Sequence, residues 1–477
     1  MRSPVRVALA APEATAVEVG RSLVSRGGNA LDAALATAAA LSVVYPHQCT
    51  IGGDLVAMVR TPDGEVRAIL SIGAAAAGFD ATGLDRMPAA GPLSVTVPGV
   101  VAGWAAIAGL GARLGWDAWL APAIALAREG IEYPAGLART IRDEAALVTA
   151  DPGLAEVFGR DRLVQPALAG TLDEIAGDWP SFYRGGLGER LAQGLAKLGS
   201  PLTADDLADH HAELAEPLTT SAYGASWFAA PPPSQGATFM AVLGSADLLR
   251  DALDARLARE ALLGDPRTAP VDMDGLLLRG PALPGRSALP GPPATGDTVA
   301  VTAVDSDGMA VTLIQSIFGE FGAGLLDPGT GIVLHNRGSL FHLDPAHPAR
   351  LKPGSRPPHT LCPAIAVRDD TVLALGSQGG RSQPWILAQV AHDALDAADP
   401  HATVARPRWI LGETDLILEP GVPDADRLAA EAATLGLGTT TVPAPHDRAG
   451  HVQMARLRGT TLDAASDPRA DGAVAVG

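Results

Sequence analysis

Apolar residues recur with helical spacing early in the chain. Residues 14–26 show this periodicity and end at Gly27-Gly28, a pair typical of a helix C-terminus. Asn29 is a residue type that caps helix N-termini, so a second helix is expected from there to Tyr45-Pro46. Residues 100–262 are also expected to be mostly helical.

Alternating apolar patterns predict β-hairpins elsewhere. The clearest one joins residues 298–305 to 309–316 through Ser306-Asp307-Gly308. Further strand pairs are predicted at 55–60 with 66–71 and at 364–367 with 372–375, a helix near 382–395, and strands near 439–442 and 451–457. Hairpins with helices before and after them favour an α+β fold in which helices cover an antiparallel sheet.

A different pattern fills residues 270–296, which contain many Pro and Gly residues and little apolar periodicity. This composition predicts an extended, exposed connector. It ends immediately before the clearest hairpin.

Composition narrows the classes of function. The 477 residues carry a net charge of −18 and no basic stripe with interleaved aromatics, so nucleic acid is not an expected partner. Cys49 and Cys362 stand apart, without the spacing of a metal site, and are expected to be buried thiols; no metal is expected. Without a signal peptide or an apolar run of membrane-spanning length, a soluble cytoplasmic protein is expected and no membrane partner.

Several motifs resemble the γ-glutamyltransferase family, and they occur in the family's order along nearly the whole chain. The most specific is GDTVAVTAVDSDGMAVTLIQSIFGEFGAG at 296–324. The others are GGNALDAALATAAALSVVYPH (27–47), IGGD (51–54), VPGVVAGW (97–104), FYRGG (182–186), LTADDLA (202–208), PPPSQG (231–236), DPGTGIVLHNRG (327–338), GSQGGRSQ (376–383), GHVQ (450–453) and ASDPRADG (465–472). The resemblance implies the four-layer αββα sandwich of N-terminal-nucleophile hydrolases.

In this family a threonine hydroxyl is the nucleophile, and the α-amine of the same residue is its base. That residue is Thr298 here, and its amine exists only after the chain is cut between Asp297 and Thr298. The resemblance therefore implies self-cleavage into residues 1–297 and 298–477, which stay associated as a heterodimer, with no cofactor. It leaves open whether two heterodimers pair. Outside its motif, Thr298 would be an ordinary strand-opening threonine.

The resemblance also assigns supporting residues. Ser316 stands where the family has a hydroxyl that hydrogen-bonds the nucleophile, although a serine at a strand end also caps turns. Gly379 and Gly380 match a pair whose N–H groups form the oxyanion hole, since glycine lets backbone donors approach closely. His359 and Thr360 occupy the family's Ser-Ser position, which faces the substrate carboxylate.

Three positions depart from γ-glutamyl transpeptidases. The arginine that clamps the glutamyl carboxylate is replaced by Ala74, the acidic residue that binds the glutamyl amine by Leu340, and an asparagine nearby by Phe318. Since hydrogen bonds to charged groups contribute about 1.5–3 kcal/mol each, glutamate recognition is expected to be lost. An apolar or neutral substrate group is expected there instead.

These departures resemble a bacterial branch that contains acylase-like hydrolases, oxamate amidohydrolases and members serving antibiotic biosynthesis. The leading hypothesis is a hydrolase of an amide or activated acyl bond, including an oxalyl carbon–carbon bond, in a small non-glutamyl metabolite. The alternatives are a genuine γ-glutamyl transpeptidase or glutathione hydrolase with shifted recognition residues, and a catalytically silent family member that serves as a scaffold.

Overall fold

The computed structural model describes residues 5–280 and 297–477, so most of the predicted connector lies outside the described residues. The described strands are β1 (Val7–Ala11), β2 (Asp54–Arg60), β3 (Val66–Ser71), β4 (Glu213–Ala215), β5 (Leu218–Ala222), β6 (Ala225–Ala229), β7 (Asp297–Asp305), β8 (Ala310–Phe318), β9 (Leu326–Asp327), β10 (Ile332–Val333), β11 (Ala364–Arg368), β12 (Thr371–Ser377), β13 (Trp409–Leu411), β14 (Asp415–Leu418), β15 (Gly438–Thr441), β16 (Val452–Arg458), β17 (Thr461–Ser466) and β18 (Ala473–Val476).

The α-helices of the same residues are α1 (Ala14–Ser25), α2 (Ala30–Val44), α3 (Val100–Ala108), α4 (Trp116–Glu129), α5 (Ala135–Asp143), α6 (Ala145–Ala150), α7 (Pro152–Phe158), α8 (Pro166–Asp178), α9 (Ser181–Arg184), α10 (Gly186–Lys197), α11 (Ala204–Ala208), α12 (Gly236–Val242), α13 (Leu248–Leu262), α14 (Met273–Leu276), α15 (Gln383–Asp396), α16 (Pro400–Ala405) and α17 (Ala425–Thr434). Short 3₁₀ turns occur at Pro92–Ser94, Arg337–Leu340, Gly380–Ser382 and Asp447–Ala449.

Two antiparallel sheets pack face to face in the centre of the molecule. Among the described strands, one sheet has the order β18-β1-β7-β8-β2-β3-β4 and the other β17-β16-β12-β11-β6-β5. Small and aliphatic side chains from both sheets fill the space between them. The sheets approach closely at Gly376, where a Cβ atom would lie 2.9 Å from Thr312 Cγ2 and 3.1 Å from the Ala300 Cβ. Glycine is therefore required there.

Helices cover the outer faces of both sheets. Helix α2 is buried along its whole length against the first sheet, and α12 and α15 pack on the second. Asn29 caps α2, and the buried Asp32 carboxylate accepts the N–H groups of Asn29, Arg113 and Leu114 and the indole N–H of Trp119. The expected αββα sandwich is confirmed, and the GGNALD motif is explained as a helix start that anchors a distant loop.

The predicted hairpins are confirmed, including the one formed by β7 and β8, whose register pairs Val301 with Leu313. Residues 100–262 are mostly helical, as expected, but three strands and the first strand of the chain were not predicted. Strand β1 precedes the first helix, and β4, β5 and β6 interrupt the helical part. These strands have only three to five residues, which is too short for an alternating pattern of apolar residues to be recognised in the sequence.

Cys49 and Cys362 are buried free thiols, as expected. Within residues 5–280 and 297–477, none of the helices combines the length and apolar character needed to cross a membrane.

Candidate active site

The site is built at the end of the β7–β8 hairpin that lies opposite its turn. Asp297 pairs with Phe318 and Val299 pairs with Gln315, so strand β8 carries one extra residue at this point. Such a β-bulge bends the strand and re-aims its side chains. Phe318 completes the irregularity with φ of 77°, a left-handed conformation that is rare for a bulky residue and is concentrated at functional sites.

The bulge brings the two predicted hydroxyl groups together. Thr298 Oγ1 donates a hydrogen bond to Ser316 Oγ over 3.2 Å, and both residues are buried. Ser316 Oγ also accepts the N–H of Phe318 at 2.9 Å. The serine hydroxyl is thus fixed by the bulge backbone and in turn orients the threonine.

An arginine that the sequence analysis did not single out joins this pair. Arg337 begins a 3₁₀ turn after β10 and is fully buried. Its Nη2 donates to Ser316 Oγ at 3.2 Å, its Nη1 donates to Thr360 Oγ1 at 2.8 Å, and its guanidinium lies 4.5 Å from the Phe318 ring centre. The expected apolar end of the site therefore also contains a cation, stacked on Phe318.

A buried amide connects this arginine to the predicted oxyanion hole. Gln235 Nε2 donates to the carbonyl oxygens of Thr360 and Gly380, the latter at 2.8 Å, and its Oε1 accepts from Arg259 at 2.7 Å. Gln235 comes from the PPPSQG motif. A continuous set of hydrogen-bonded groups thus runs from Thr298 to the Gly380 backbone.

Gly379 and Gly380 form the turn between β12 and α15. Their φ values are 138° and 50°, and a Cβ atom on Gly379 would lie 2.5 Å from Ile386 Cδ1. Only glycine fits this position without strain, because the backbone turns sharply against the helix. Backbone N–H groups in such a turn suit a developing negative charge.

His359 is held by the protein through both ring nitrogens. Its Nε2 lies 3.2 Å from Asp54 Oδ2, and its Nδ1 accepts the Leu361 N–H at 3.4 Å. Burial and the nearby Arg337 hold the pKa of His359 well below its usual range, so the ring is neutral and Nε2 donates to Asp54. His359 is thus a positioning group for its neighbour Thr360, whose hydroxyl meets Arg337.

Asp54, from the IGGD motif, is the buried carboxylate that contacts His359. Its Oδ1 accepts the Gly73 N–H at 2.9 Å, and His335 Nδ1 lies 3.5 Å from Oδ2. Burial raises the pKa of Asp54 to about 7, although Arg337 and the Gly73 N–H oppose the rise. Burial also lowers the pKa of His335 to about 4. The IGGD motif alone does not indicate that Asp54 lies beside His335 and His359, because these histidines are distant from it in the sequence.

Two cavities adjoin the site. The larger, of about 1070 Å³, is lined by Phe318 and Leu340, and the smaller, of about 120 Å³, by Leu340, His359 and Thr360. Residues 339–342 line both. Ala74 lines neither; it lies on the loop after β3, where its carbonyl accepts the Val97 N–H. Over the described residues, His, Cys, Asp and Glu side chains form no group able to hold a metal ion.

The family model described as Gamma-glutamyltranspeptidase matches residues 16–477. The chain belongs to the gamma-glutamyltranspeptidase family. It is 37% identical to the oxamate amidohydrolase proenzyme of Klebsiella pneumoniae subsp. pneumoniae, over 98% of this chain and 97% of that protein. It is 34% identical to the glutathione hydrolase-like YwrD proenzyme of Bacillus subtilis, over 84% of each.

The fold matches that of a solved acylase. The crystal structure of cephalosporin acylase from Bacillus halodurans superposes with a TM-score of 0.88 at 30% identity, covering 100% of this chain and 97% of that one. The non-glutamyl acylase and amidohydrolase branch is therefore among the relatives of this chain. The chain is a hydrolase of the N-terminal-nucleophile type.

Proposed function

We propose that this chain cuts itself between Asp297 and Thr298 and then hydrolyses an amide or similarly activated acyl bond of a small, non-glutamyl substrate, with Thr298 as the nucleophile. The observation that carries the proposal is the hydrogen bond between the buried Thr298 and Ser316 hydroxyls at the β-bulge. The names of the amidohydrolase and acylase relatives support the reaction class.

In the self-cleavage step, the Thr298 hydroxyl attacks the Asp297 carbonyl carbon. The peptide C–N bond breaks as the new ester C–O bond forms, and the proton of the hydroxyl passes to the released α-amine of Thr298. Water then hydrolyses the ester, which frees the hydroxyl and leaves a carboxylate on Asp297. The mature Thr298 now carries its own base.

In turnover, the same hydroxyl attacks the substrate carbonyl while the α-amine accepts its proton. The tetrahedral oxyanion is stabilised by N–H groups of Gly379 and Gly380. The amine product leaves with the proton, and water hydrolyses the threonyl ester to release the acid. A ketone activated by a neighbouring carbonyl would react through the same oxyanion, with carbon in place of nitrogen as the leaving group.

The substrate is proposed to lack a γ-glutamyl group. Ala74 and Leu340 offer no charged group to a glutamyl head, and the ring of Phe318 is covered by Arg337. A glutamyl ammonium would meet this buried guanidinium without a carboxylate in the positions that the family uses. Repulsion and desolvation together would then oppose binding.

Protein chemistry on the purified chain tests the proposal. Wild type is expected to yield two fragments, the smaller beginning at Thr298, whereas Thr298→Ala stays intact and hydrolyses no amide. Thr302→Val is the matched control, because Thr302 is a buried threonine on the same strand whose hydroxyl has no partner among the described residues. It should be cut and active like wild type.

Two results would contradict the proposal. A wild-type chain that stays intact and still has full amidase activity would contradict the self-cleavage step. Release of 4-nitroaniline from γ-glutamyl-4-nitroanilide at a rate equal to or above that from simple acyl anilides would remove the non-glutamyl assignment.

A further inference from the structure

Arg337 differs from the other buried arginines of this molecule. Each of the others among the described residues has a carboxylate within salt-bridge distance: Arg259 with Glu260, Arg356 with Asp265, Arg408 with Asp467, Arg456 with Asp463, and Arg469 with Glu419 and Asp467. Arg337 is the most deeply buried together with Arg456, at 0% exposure, and none of the described carboxylates pairs with it at that distance. A buried charge without a partner is costly, which makes Arg337 a candidate for binding an anionic ligand.

The donors of Arg337 are only partly used. The two that are bonded contact neutral hydroxyl groups, on Thr360 and Ser316, and the Nε–H is buried without a hydrogen-bond partner among the described residues. Its flat face rests on Phe318, which fixes the plane of the guanidinium. A fixed fork with unused donors suits a planar carboxylate.

Asp54 attracts this cation but does not neutralise it as a paired carboxylate would. Both Asp54 oxygens accept hydrogen bonds from other groups: Oδ1 from the Gly73 N–H and Oδ2 from His359 Nε2. Its pKa of about 7 also means that the group is substantially protonated at neutral pH. Burial accordingly lowers the pKa of Arg337 to about 9, against the attraction of Asp54.

The cation lies beside the proposed nucleophile. Arg337 Nη2 and Thr298 Oγ1 are each 3.2 Å from the same atom, Ser316 Oγ. A carboxylate that interacts with Arg337 while Thr298 attacks must therefore lie close to the scissile carbonyl. In an oxalyl group the carboxylate is bonded directly to the scissile carbonyl, whereas in a γ-glutamyl group three carbon atoms separate the two.

We infer that Arg337 binds a substrate carboxylate attached directly to the scissile carbonyl, so that the substrates are oxalyl-type amides: oxamate or its N-substituted derivatives. This inference rests on the proposed function and names the substrate class of the same site. Hydrolysis of such an amide yields an amine and oxalate. The name of the oxamate amidohydrolase relative agrees with this class.

A comparison of two isosteric amides tests the inference on the mature wild-type protein. Oxamate and oxamide differ only in a carboxylate against a carboxamide, and ammonia release measures both. Oxamate is expected to have a kcat/KM at least about 100-fold higher. Equal turnover, or turnover of short neutral amides without oxamate, would overturn the inference while leaving the proposed hydrolase intact.

Substitutions of Arg337 distinguish a role in substrate recognition from a purely structural role. Arg337→Gln should lower the oxamate-to-oxamide ratio of kcat/KM at least about 30-fold, and Arg337→Lys should fall between it and wild type. If the role of Arg337 is merely structural, its substitution should lower kcat/KM for both substrates alike and leave the ratio unchanged. That result would overturn the inference. Arg113→Gln is the matched control: this exposed arginine pairs with Asp307 at the turn of the same hairpin, away from Thr298, and its loss should leave the ratio unchanged.

Binding gives a readout that does not require turnover. Oxalate should raise the melting temperature of the mature wild type, oxamide should raise it less, and Arg337→Gln should abolish the oxalate effect. An oxalate effect that persists in Arg337→Gln would overturn the inference. If Thr298→Ala were active, by contrast, the proposed function would fail whatever the oxalate result.

Discussion

At the residue scale, Asp54 shows how burial sets the charge state of the site. A carboxyl group surrounded by neutral histidines and a backbone N–H is expensive to ionise, because the solvation lost on burial exceeds the attraction of Arg337. The site therefore holds a proton near neutrality on a residue that would be ionised in water. When Asp54 holds this proton, it does not offset the charge of Arg337, which contacts the same Ser316 hydroxyl as Thr298.

A prediction about stability follows from that proton. The pKa of Asp54 rises from 3.8 in the unfolded chain to about 7 in the folded one, so the folded state binds more protons between these values. Stability contributed by Asp54 is thus highest at low pH, is lost as pH rises from about 4 to 7, and is constant above. Urea midpoints of uncut Thr298→Ala chains, with and without Asp54→Asn, measure it. From pH 5 to 8 the difference in unfolding free energy should shift by on the order of 2 kcal/mol in favour of the Asn variant.

The outcome that would refute this account is a constant difference between the two chains across the pH range. In that case Asp54 would be ionised at all these pH values, and Arg337 would have a full counter-charge. The inference of an unneutralised cation would then lose one of its supports.

At the scale of elements, the turn between β12 and α15 requires glycine for its backbone conformation. Gly379→Ala places a Cβ against Ile386 at a backbone angle that side chains rarely adopt. We expect a loss of about 1–3 kcal/mol in unfolding free energy and a fall of at least about 100-fold in kcat, since the oxyanion donors would move. Urea denaturation and amide turnover measure the two effects.

A matched Gly→Ala change on a different element controls for the substitution itself. Gly170 lies in helix α8 with open space around its missing Cβ. Gly170→Ala should stabilise the protein by about 0.5–1 kcal/mol and leave turnover unchanged. If Gly379→Ala behaved in the same way, the turn would not be the rigid element that the oxyanion assignment requires.

Elements with strong local signals were predictable from the sequence. The β7–β8 hairpin was predicted within a residue or two because its turn residues and its alternation agree, and α2 because Asn29 caps it. Arg337 was not predicted. A single arginine in a 3₁₀ turn carries no periodic signal. Its contacts depend on Phe318, at the end of β8, and on Thr360, in the segment before β11, which lie far from each other in the sequence.

At the scale of the whole molecule, the predicted cut before Thr298 divides the strands of both sheets between the two fragments. Strands β1, β2, β3 and β4 precede the cut, yet they share a sheet with β7, β8 and β18, which follow it. In the second sheet β6, before the cut, pairs with β11, after it. The two predicted fragments therefore share their hydrogen-bonded ladders and the apolar layer between the sheets.

This interleaving predicts that the mature fragments separate only when the sheets unfold, because separation would break the β1–β7, β2–β8 and β6–β11 ladders at once. Size-exclusion chromatography in increasing urea should show both fragments co-eluting up to the midpoint reported by tryptophan fluorescence. Above it they should separate, and the midpoint should rise with protein concentration, as expected for a dissociating pair. Thr298→Ala, which stays one chain, should show no concentration dependence. Fragments that separate well below the fluorescence transition would mean that the two halves are independent domains, and the shared sheets would then be wrong.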